Sequence, residues 1–384
     1  MIIYLGWFFA SVILCLTTLK ASRSTQVLLM ALFMMALGVF VGLGDMLGGY
    51  DRYIYGELFD RMADVTNRGG NPLRSNSFYF YGNEFGYGSL SALITFITGN
   101  RYIYIFILTM IIYILLIISI CQYTDNAPFA VVVFMGLWFF FTFTYLRQVL
   151  GCTVCWLAVR YIYERKLFLF TLVVFIAFSF HNSALIFFPA YFLPIRKYEP
   201  KNIMMFMGVA LLIGLTPIPQ GLFGVYAEIN ETRVSVESYA EDAGFRWAYL
   251  IESLFFLWVI LTNYNKISDS RRDVVLLNLA LVFCAVLLIF VRSENGGRLG
   301  WMFMIAVICT MTKICVQNKQ VLQQGGLMIV ICLFLYLRVY DAWQNYLNLY
   351  PYKTFLTDGY REGDYSWKKY EYDHNYDIDK FYRK

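Results

Sequence analysis

The chain has 384 residues, of which 59% are hydrophobic and only 15% charged, with a formal net charge of +5. The apolar residues come in blocks of roughly 14 to 20, the length of helix that crosses a bilayer core of about 30 Å. A soluble protein of this length would bury one large core and would not divide its apolar residues by short polar punctuation, so a soluble enzyme is excluded. An all-α polytopic integral membrane protein is expected.

In chain order the blocks cover residues 2–19, 26–43, 102–120, 128–145, 149–163, 167–180, 183–195, 203–218, 247–262, 274–291, 299–312 and 321–340. They predict about twelve transmembrane helices in a single domain, 1–342. A further apolar piece, 86–99, is short and rich in Gly, Ser and Thr, and reads as an interfacial or re-entrant helix. With that piece not counted, the basic turns at Lys20 and Arg23, Arg165 and Lys166, Arg196 to Lys201, Lys266 to Arg272, and Lys313 and Lys319 all fall on one face. The positive-inside rule makes that face cytoplasmic and puts both termini outside. The first block has no basic residue before it and two just after, which fits an N-out signal-anchor better than a cleaved signal peptide.

The extracytoplasmic face then holds a long loop after the second span, 44–100 with its interfacial piece, a second loop at 219–246, the short "RSENGGR" turn and a tail, 343–384. The tail carries seven basic and seven acidic residues, a balance that argues against a polybasic lipid-binding or nucleic-acid segment. Its 13 aromatics suit either the headgroup region or sugar stacking. The cysteines fall in or beside apolar blocks, so no extracytoplasmic disulfide framework is implied, and "CTVC" lacks the further ligands of a zinc site.

One charge interrupts the apolar stretch "FFFTFTYLRQVLGCTVCWLAV": Arg147, at an outer turn between two spans. Alone it could snorkel to the headgroups. Other outer ends carry His181 with Asn182, Arg292 with Glu294 and Arg298, and, opening the long loop, Asp45, Asp51 and Arg52. Arginines on the face where basic residues are disfavoured call for an anionic partner, and guanidinium groups match phosphate oxygens bidentately. A lipid diphosphate is the expected ligand, with lipid headgroups or Glu294 as alternative partners.

Within the long loop, Tyr50, Ile54, Leu58 and Met62 recur every four residues with Tyr55 and Phe59 beside them, predicting an amphipathic helix that lies on the membrane. Asp51 sits at its first turn. It is either a charge favoured by the helix dipole or a carboxylate placed to take a proton from an acceptor hydroxyl. Glu84 is a second carboxylate with the same ambiguity, and the aromatics at 78–81 could flank a sugar.

The motifs "GGYDRYIY", "EFGYGSL", "LRQVLG", "YIYERK" and "FSFHNSALIFFPAYFLPI", in this order, resemble the EpsG family of Wzy-type bacterial exopolysaccharide and O-antigen polymerases. The resemblance covers Tyr50 to Ile195 and extends more loosely to Arg298. It implies an inner-membrane enzyme that transfers a growing glycan from undecaprenyl diphosphate to the next lipid-linked repeat unit. By analogy it implies a GT-C-like membrane glycosyltransferase architecture. On that reading Arg147, Arg292, Arg298 and Arg52 would hold the diphosphate. Asp51 would be the general base, and His181 a diphosphate donor or alternative base. Tyr55, Glu84, Gln148 and Asn182 would meet the glycan. No cofactor, nucleotide or obligatory metal is expected, with a divalent cation at the diphosphate left open. Membrane lipids and a chain-length regulator are the expected partners, and nucleic acid is not one. The alternatives are a lipid-linked oligosaccharide flippase, a ligase or another lipid-dependent glycosyltransferase.

Overall fold

A computed structural model of the chain describes residues 1–46, 51–221, 244–316, 321–344, 349, 352–354 and 356. Most of the second outer loop, 219–246, and of the tail, 343–384, lies outside the described residues. The described residues are helical, with one isolated antiparallel bridge between Gly44 and Thr354.

The polar punctuation between apolar blocks does its work as helix caps. Ser22, Asn100, Asn126 and Ser270 each accept a hydrogen bond from a backbone N–H in the first turn of the helix that follows, and Pro128 and Pro200 sit in first turns where no intrahelical N–H is needed. Among the described residues five helical stretches are long and apolar enough to cross a membrane: Arg23–Leu43, Arg101–Tyr123, Arg271–Ile289, Gly296–Val316 and Gln324–Gln344. Five shorter apolar helices accompany them: Ile2–Thr18, Ala127–Leu137, Leu167–Phe180, Pro200–Gly214 and Trp247–Thr262. Several continuous apolar blocks of the sequence are therefore broken in the fold. Residues 128–145 form a short helix followed by a 3-10 helix, Phe139–Phe143, where bulky aromatics and Thr142 crowd the chain. Residues 183–195 are largely a 3-10 helix, Asn182–Phe192, containing Pro189, which cannot donate to an α-helical ladder.

Large apolar side chains stand exposed along these helices, among them Ile13, Leu32, Phe168, Leu212 and Trp258. So much uncovered apolar surface needs a lipid environment.

The chain divides into two compact units. The first comprises residues 1–154, 176–182 and 322–384. In it α1 (Ile2–Thr18), α2 (Arg23–Leu43), α6 (Arg101–Tyr123) and α7 (Ala127–Leu137) pack together, and α15 (Val321–Gln344) joins them where Tyr336 Oη donates to Tyr4 O of α1 and Cys332 lies against Gly136 of α7. α2 and α6 run antiparallel at close range: Gly42 lies against Phe106 and Gly38 against Tyr113, where a Cβ would come within 2.9 Å of each ring. Arg23 and Asp125 approach to 3.8 Å, so the turns before α2 and after α6 share one end. The intervening segment 44–100 leaves and re-enters at the other end, the head. It folds as α3 (Arg52–Asn67), α4 (Asn76–Phe80) and α5 (Phe85–Thr95). After α15 the chain seals this end: Tyr352 Oη donates to Phe40 O at 2.8 Å, and Asp45 N–H donates to Lys353 O at 3.1 Å.

Helix α3 differs from the expected surface-lying helix. Tyr55, Phe59 and Met62 are buried, but so are Arg52, Tyr53, Gly56 and Asp60, and Ile54 points outward. The reason is ionic. Arg101 Nε donates to Asp60 Oδ2 at 2.6 Å with both side chains essentially unexposed, and this pair draws the polar face of α3 onto α6.

The second unit comprises residues 155–175 and 183–321. It is built around α13 (Arg271–Ile289), whose residues are nearly all buried among α11 (Pro200–Gly214), α12 (Trp247–Thr262) and α14 (Met304–Val316). Asn278 Nδ2 donates to the carbonyls of Pro194 and Arg196, and Asp273 pairs with Lys313 at 3.0 Å.

Candidate functional site

The head of the first unit gathers charged and polar residues from four separate stretches of chain. Arg147 is the second residue of α8 (Leu146–Trp156), just after the 3-10 turn. Its Nη1 donates to Glu84 Oε2 at 2.6 Å, and its Nε to Tyr55 Oη at 3.4 Å. The guanidinium also lies over the Tyr55 ring, 5.4 Å from the centroid. Tyr55 Oη in turn reaches Asp51 Oδ2 at 3.4 Å, and Asp51 N–H donates to Thr144 Oγ1 at 2.9 Å. On the far side, Glu84 Oε1 accepts the backbone N–H of Asn182 at 3.2 Å. Asp51, Tyr55, Arg147, Glu84 and the Asn182 backbone thus form one polar chain.

Burial grades this chain. The Glu84 side chain is 2% exposed and the Arg147 side chain 20%, so the carboxylate is the more deeply buried partner of the two. Asp51 is half-buried, Tyr55 buried. Burial, and then the Asp51 carboxylate, push the Tyr55 phenol above its ordinary pKa against the opposing pull of Arg147, so it remains a neutral hydroxyl. Beneath it, Tyr104 Oη donates to Tyr87 Oη at 3.0 Å and lies 2.8 Å from Ser91 Oγ, a hydroxyl cluster that floors the site.

Two glycines bring these stretches together. Gly86, in the first turn of α5, sits against Ser179 near the end of α10 (Leu167–Phe180), where a Cβ would lie 2.9 Å from Ser179 Cβ and 3.0 Å from its carbonyl. Gly151, one turn beyond Arg147, sits against His181, where a Cβ would lie 3.1 Å from His181 Cβ. The end of α10 is therefore wedged between the starts of α5 and α8, which carries the Asn182 N–H to Glu84.

Of the residues expected to form the site, Asp51, Tyr55, Glu84, Arg147, His181 and Asn182 share the head of this unit. Arg52 is placed otherwise than expected. It is fully buried, with Nη2 on Val41 O at 2.6 Å and Nη1 on Asp45 O at 3.2 Å, so it caps the carbonyl end of α2 and is not open to a phosphate. Gln148, expected to meet the glycan, is also buried, because its side chain projects to the inner face of α8. Arg292 and Arg298 belong to the second unit, where Arg292 Nη1 donates to Leu215 O at 3.2 Å and Arg298 lies over Trp301. The carbonyl of Glu294 in the same turn accepts from Arg246 and Tyr249. The sequence reading missed the pairing of Glu84 with Arg147 and the bridging hydroxyl of Tyr55. Nothing in the sequence links two positions so far apart.

Among the described residues no group of three or more His, Cys, Asp or Glu is arranged to hold a metal ion. None of the eight cysteines, all of them among the described residues, is in a disulfide.

A chain whose described residues form many apolar helices, with a charged cluster at the head of its first unit, belongs to the class of multi-pass membrane proteins. More closely, the EpsG family model matches residues 8–354, and the chain belongs to that family, the family of Wzy-like polysaccharide polymerases. No curated protein and no solved structure matches it.

Proposed function

We propose that the protein polymerises lipid-linked oligosaccharide repeat units at the extracytoplasmic face of the bacterial inner membrane, with both termini on that face. It transfers the growing glycan from undecaprenyl diphosphate to a hydroxyl of the next lipid-linked unit. The observation that carries this reading is the partly exposed Arg147 side chain, paired with the buried Glu84 and linked through Tyr55 to Asp51, in a chain of a polymerase family.

The acceptor oxygen attacks the anomeric carbon of the donor glycan. The bond from that carbon to the diphosphate breaks, its electron pair leaving with the diphosphate. The main demand is stabilisation of negative charge growing on the leaving group, which a preorganised guanidinium supplies. The acceptor proton passes to the Asp51 carboxylate, with His181 the alternative base. No nucleotide or redox cofactor takes part, and a divalent cation at the diphosphate is compatible with the scheme. Arg292 and Arg298 carry their expected phosphate contacts on sequence grounds alone. The partners in this reading are the lipid-linked oligosaccharide, membrane lipids and a chain-length regulator.

The test is the lipid-linked glycan profile of a deletion strain complemented by the wild-type gene or by Arg147→Ala, with glycan length and sidedness resolved. Single repeat units accumulating on the outer face without a ladder support the polymerase. Units trapped on the cytoplasmic side make the protein a flippase, and a normal ladder lacking one substituent makes it a modifying or ligating transferase.

A further inference from the structure

The hydrogen bonds of Arg147 are unevenly distributed. Nε is held by Tyr55 and Nη1 by Glu84, while among the described residues Nη2 has no hydrogen-bond partner. The side chain retains 20% exposure, whereas the carboxylate beneath retains 2%. Glu84 is itself fixed from a second direction, because its other oxygen takes the Asn182 N–H at the end of α10. Gly86, two residues on, seats that end of α10 against the start of α5.

A carboxylate so enclosed cannot present an oxygen to an incoming sugar hydroxyl. What it can do is fix the plane and rotation of a guanidinium, which otherwise has several rotatable bonds. We propose that Glu84 is a positioning residue: it holds Arg147 with its Nη2 edge turned outward for the lipid diphosphate and takes no proton in the reaction. The inference rests on the reading of Arg147 as the diphosphate ligand. It removes Glu84 from the glycan contacts and gives the buried carboxylate a task that depends wholly on Arg147.

Charge alone argues the other way, which makes the sign of the effect decisive. Neutralising Glu84 adds one unit of positive charge beside the anion site, so an electrostatic account expects tighter anion binding when it is removed. Positioning expects weaker binding, because an oriented fork loses its geometry.

The experiment uses the full chain in detergent micelles, with farnesyl diphosphate as the lipid diphosphate probe and affinity read by tryptophan fluorescence. The variants are Glu84→Gln, Arg147→Lys and the double substitution. Glu84→Gln keeps the size and one acceptor oxygen, so the fold has the best chance of surviving. A thermal melt of each variant, together with Glu84→Asp, separates loss of geometry from loss of fold. The expected result is binding weakened about tenfold by Glu84→Gln, with little further loss when it is added to Arg147→Lys, the signature of a residue that acts through another. Tighter or unchanged binding in a folded Glu84→Gln variant overturns the inference, and so does full additivity with Arg147→Lys. Wild-type affinity in Arg147→Lys overturns instead the assignment of Arg147 to the diphosphate.

Discussion

Arg147 Nη1 and Glu84 Oε2 stand 2.6 Å apart across 63 residues of chain, joining the residue that precedes α5 to the first turn of α8. The contact explains how an arginine is tolerated at the edge of an apolar stretch: its charge is compensated by a buried carboxylate while its own side chain stays one-fifth exposed. Replacing it tests the compensation and the ligand together. Arg147→Ala is expected to lower polymer formation by about 10² to 10³, the usual cost of removing one donor to a developing anion. Arg147→Lys is expected to lose most polymer while still inserting, because an ammonium keeps the charge and loses the fork. Glycan ladders normalised to the amount of membrane-inserted protein measure both, and a full ladder from Arg147→Lys would remove Arg147 from the diphosphate site.

Gly86 tests whether the wedge of α10 assembles the site. A Cβ there collides with Ser179, a short side chain with nowhere to swing, and with its carbonyl. Gly86→Ala should therefore push α10 away, lengthen the Asn182 to Glu84 bond and reduce polymer at least tenfold, within the range that a small misplacement costs an oriented site. Adding Ser179→Gly removes the atom that is struck and should restore part of the ladder. Equal loss in the single and double variants would assign Gly86 a different role.

The class of fold was legible because apolar block length is a local property, and the helix starts after Ser22, Asn100, Asn126 and Ser270 are likewise fixed locally, by their caps. The internal breaks were less so. Residues 128–145 are uniformly apolar in sequence, and the change to a 3-10 turn at Phe139 comes from aromatic packing with partners far along the chain, such as Tyr336. The same division holds at the site. Arg147 stood out because a charge in an apolar stretch is conspicuous, and Asp51 and His181 because they lie at helix ends. The pairing of Glu84 with Arg147 was hidden, since no periodicity links positions so far apart. Arg52 was misread for the opposite reason: an arginine next to an aspartate at a loop start looks like a ligand, yet its fork meets the backbone carbonyls of Val41 and Asp45 at and just beyond the end of α2.

A second arginine–carboxylate pair, Arg101 with Asp60, has the opposite character, with neither side chain exposed and Gly56 admitting the Arg101 stem. Breaking it leaves an uncompensated buried charge. Asp60→Leu or Arg101→Met alone should each cost about 3 to 5 kcal/mol, while the double change to apolar residues should cost much less. Thermal melts of purified protein in one detergent test this, and additive losses would show that the two charges do not act as a pair.

Tyr55 predicts a pH behaviour. Its folded pKa lies above the unfolded value near 10 because burial and the Asp51 charge oppose ionisation. The stability contributed by the neutral phenol is therefore fully present below about pH 10 and is lost as pH rises further. Tyr55→Phe keeps the ring under the guanidinium and loses the hydroxyl, so activity should fall about three- to tenfold, the worth of one hydrogen bond, with an unchanged pH profile below pH 10. A wild-type activity limb near pH 8 that vanishes in Tyr55→Phe would contradict the assignment.

The direction of the chain can be tested independently of any chemistry. Arg23 beside Asp125 puts the turns around these residues at one end of the first unit, and the contacts of Asp45 with Lys353 and of Arg52 with Val41 put the entry to segment 44–100 at the other. The antiparallel register of α2 against α6, with Gly42 at Phe106 and Gly38 at Tyr113, requires that the segment between them make no net crossing. Reporter fusions after Gly70 and after Asn126 should then report opposite sides of the membrane, with the basic turn at Lys20 and Arg23 on the same side as Asn126. Fusions reporting the same side would mean that segment 44–100 crosses once, which would reverse everything after it and carry Arg147 to the cytoplasmic face, away from any outer-leaflet diphosphate.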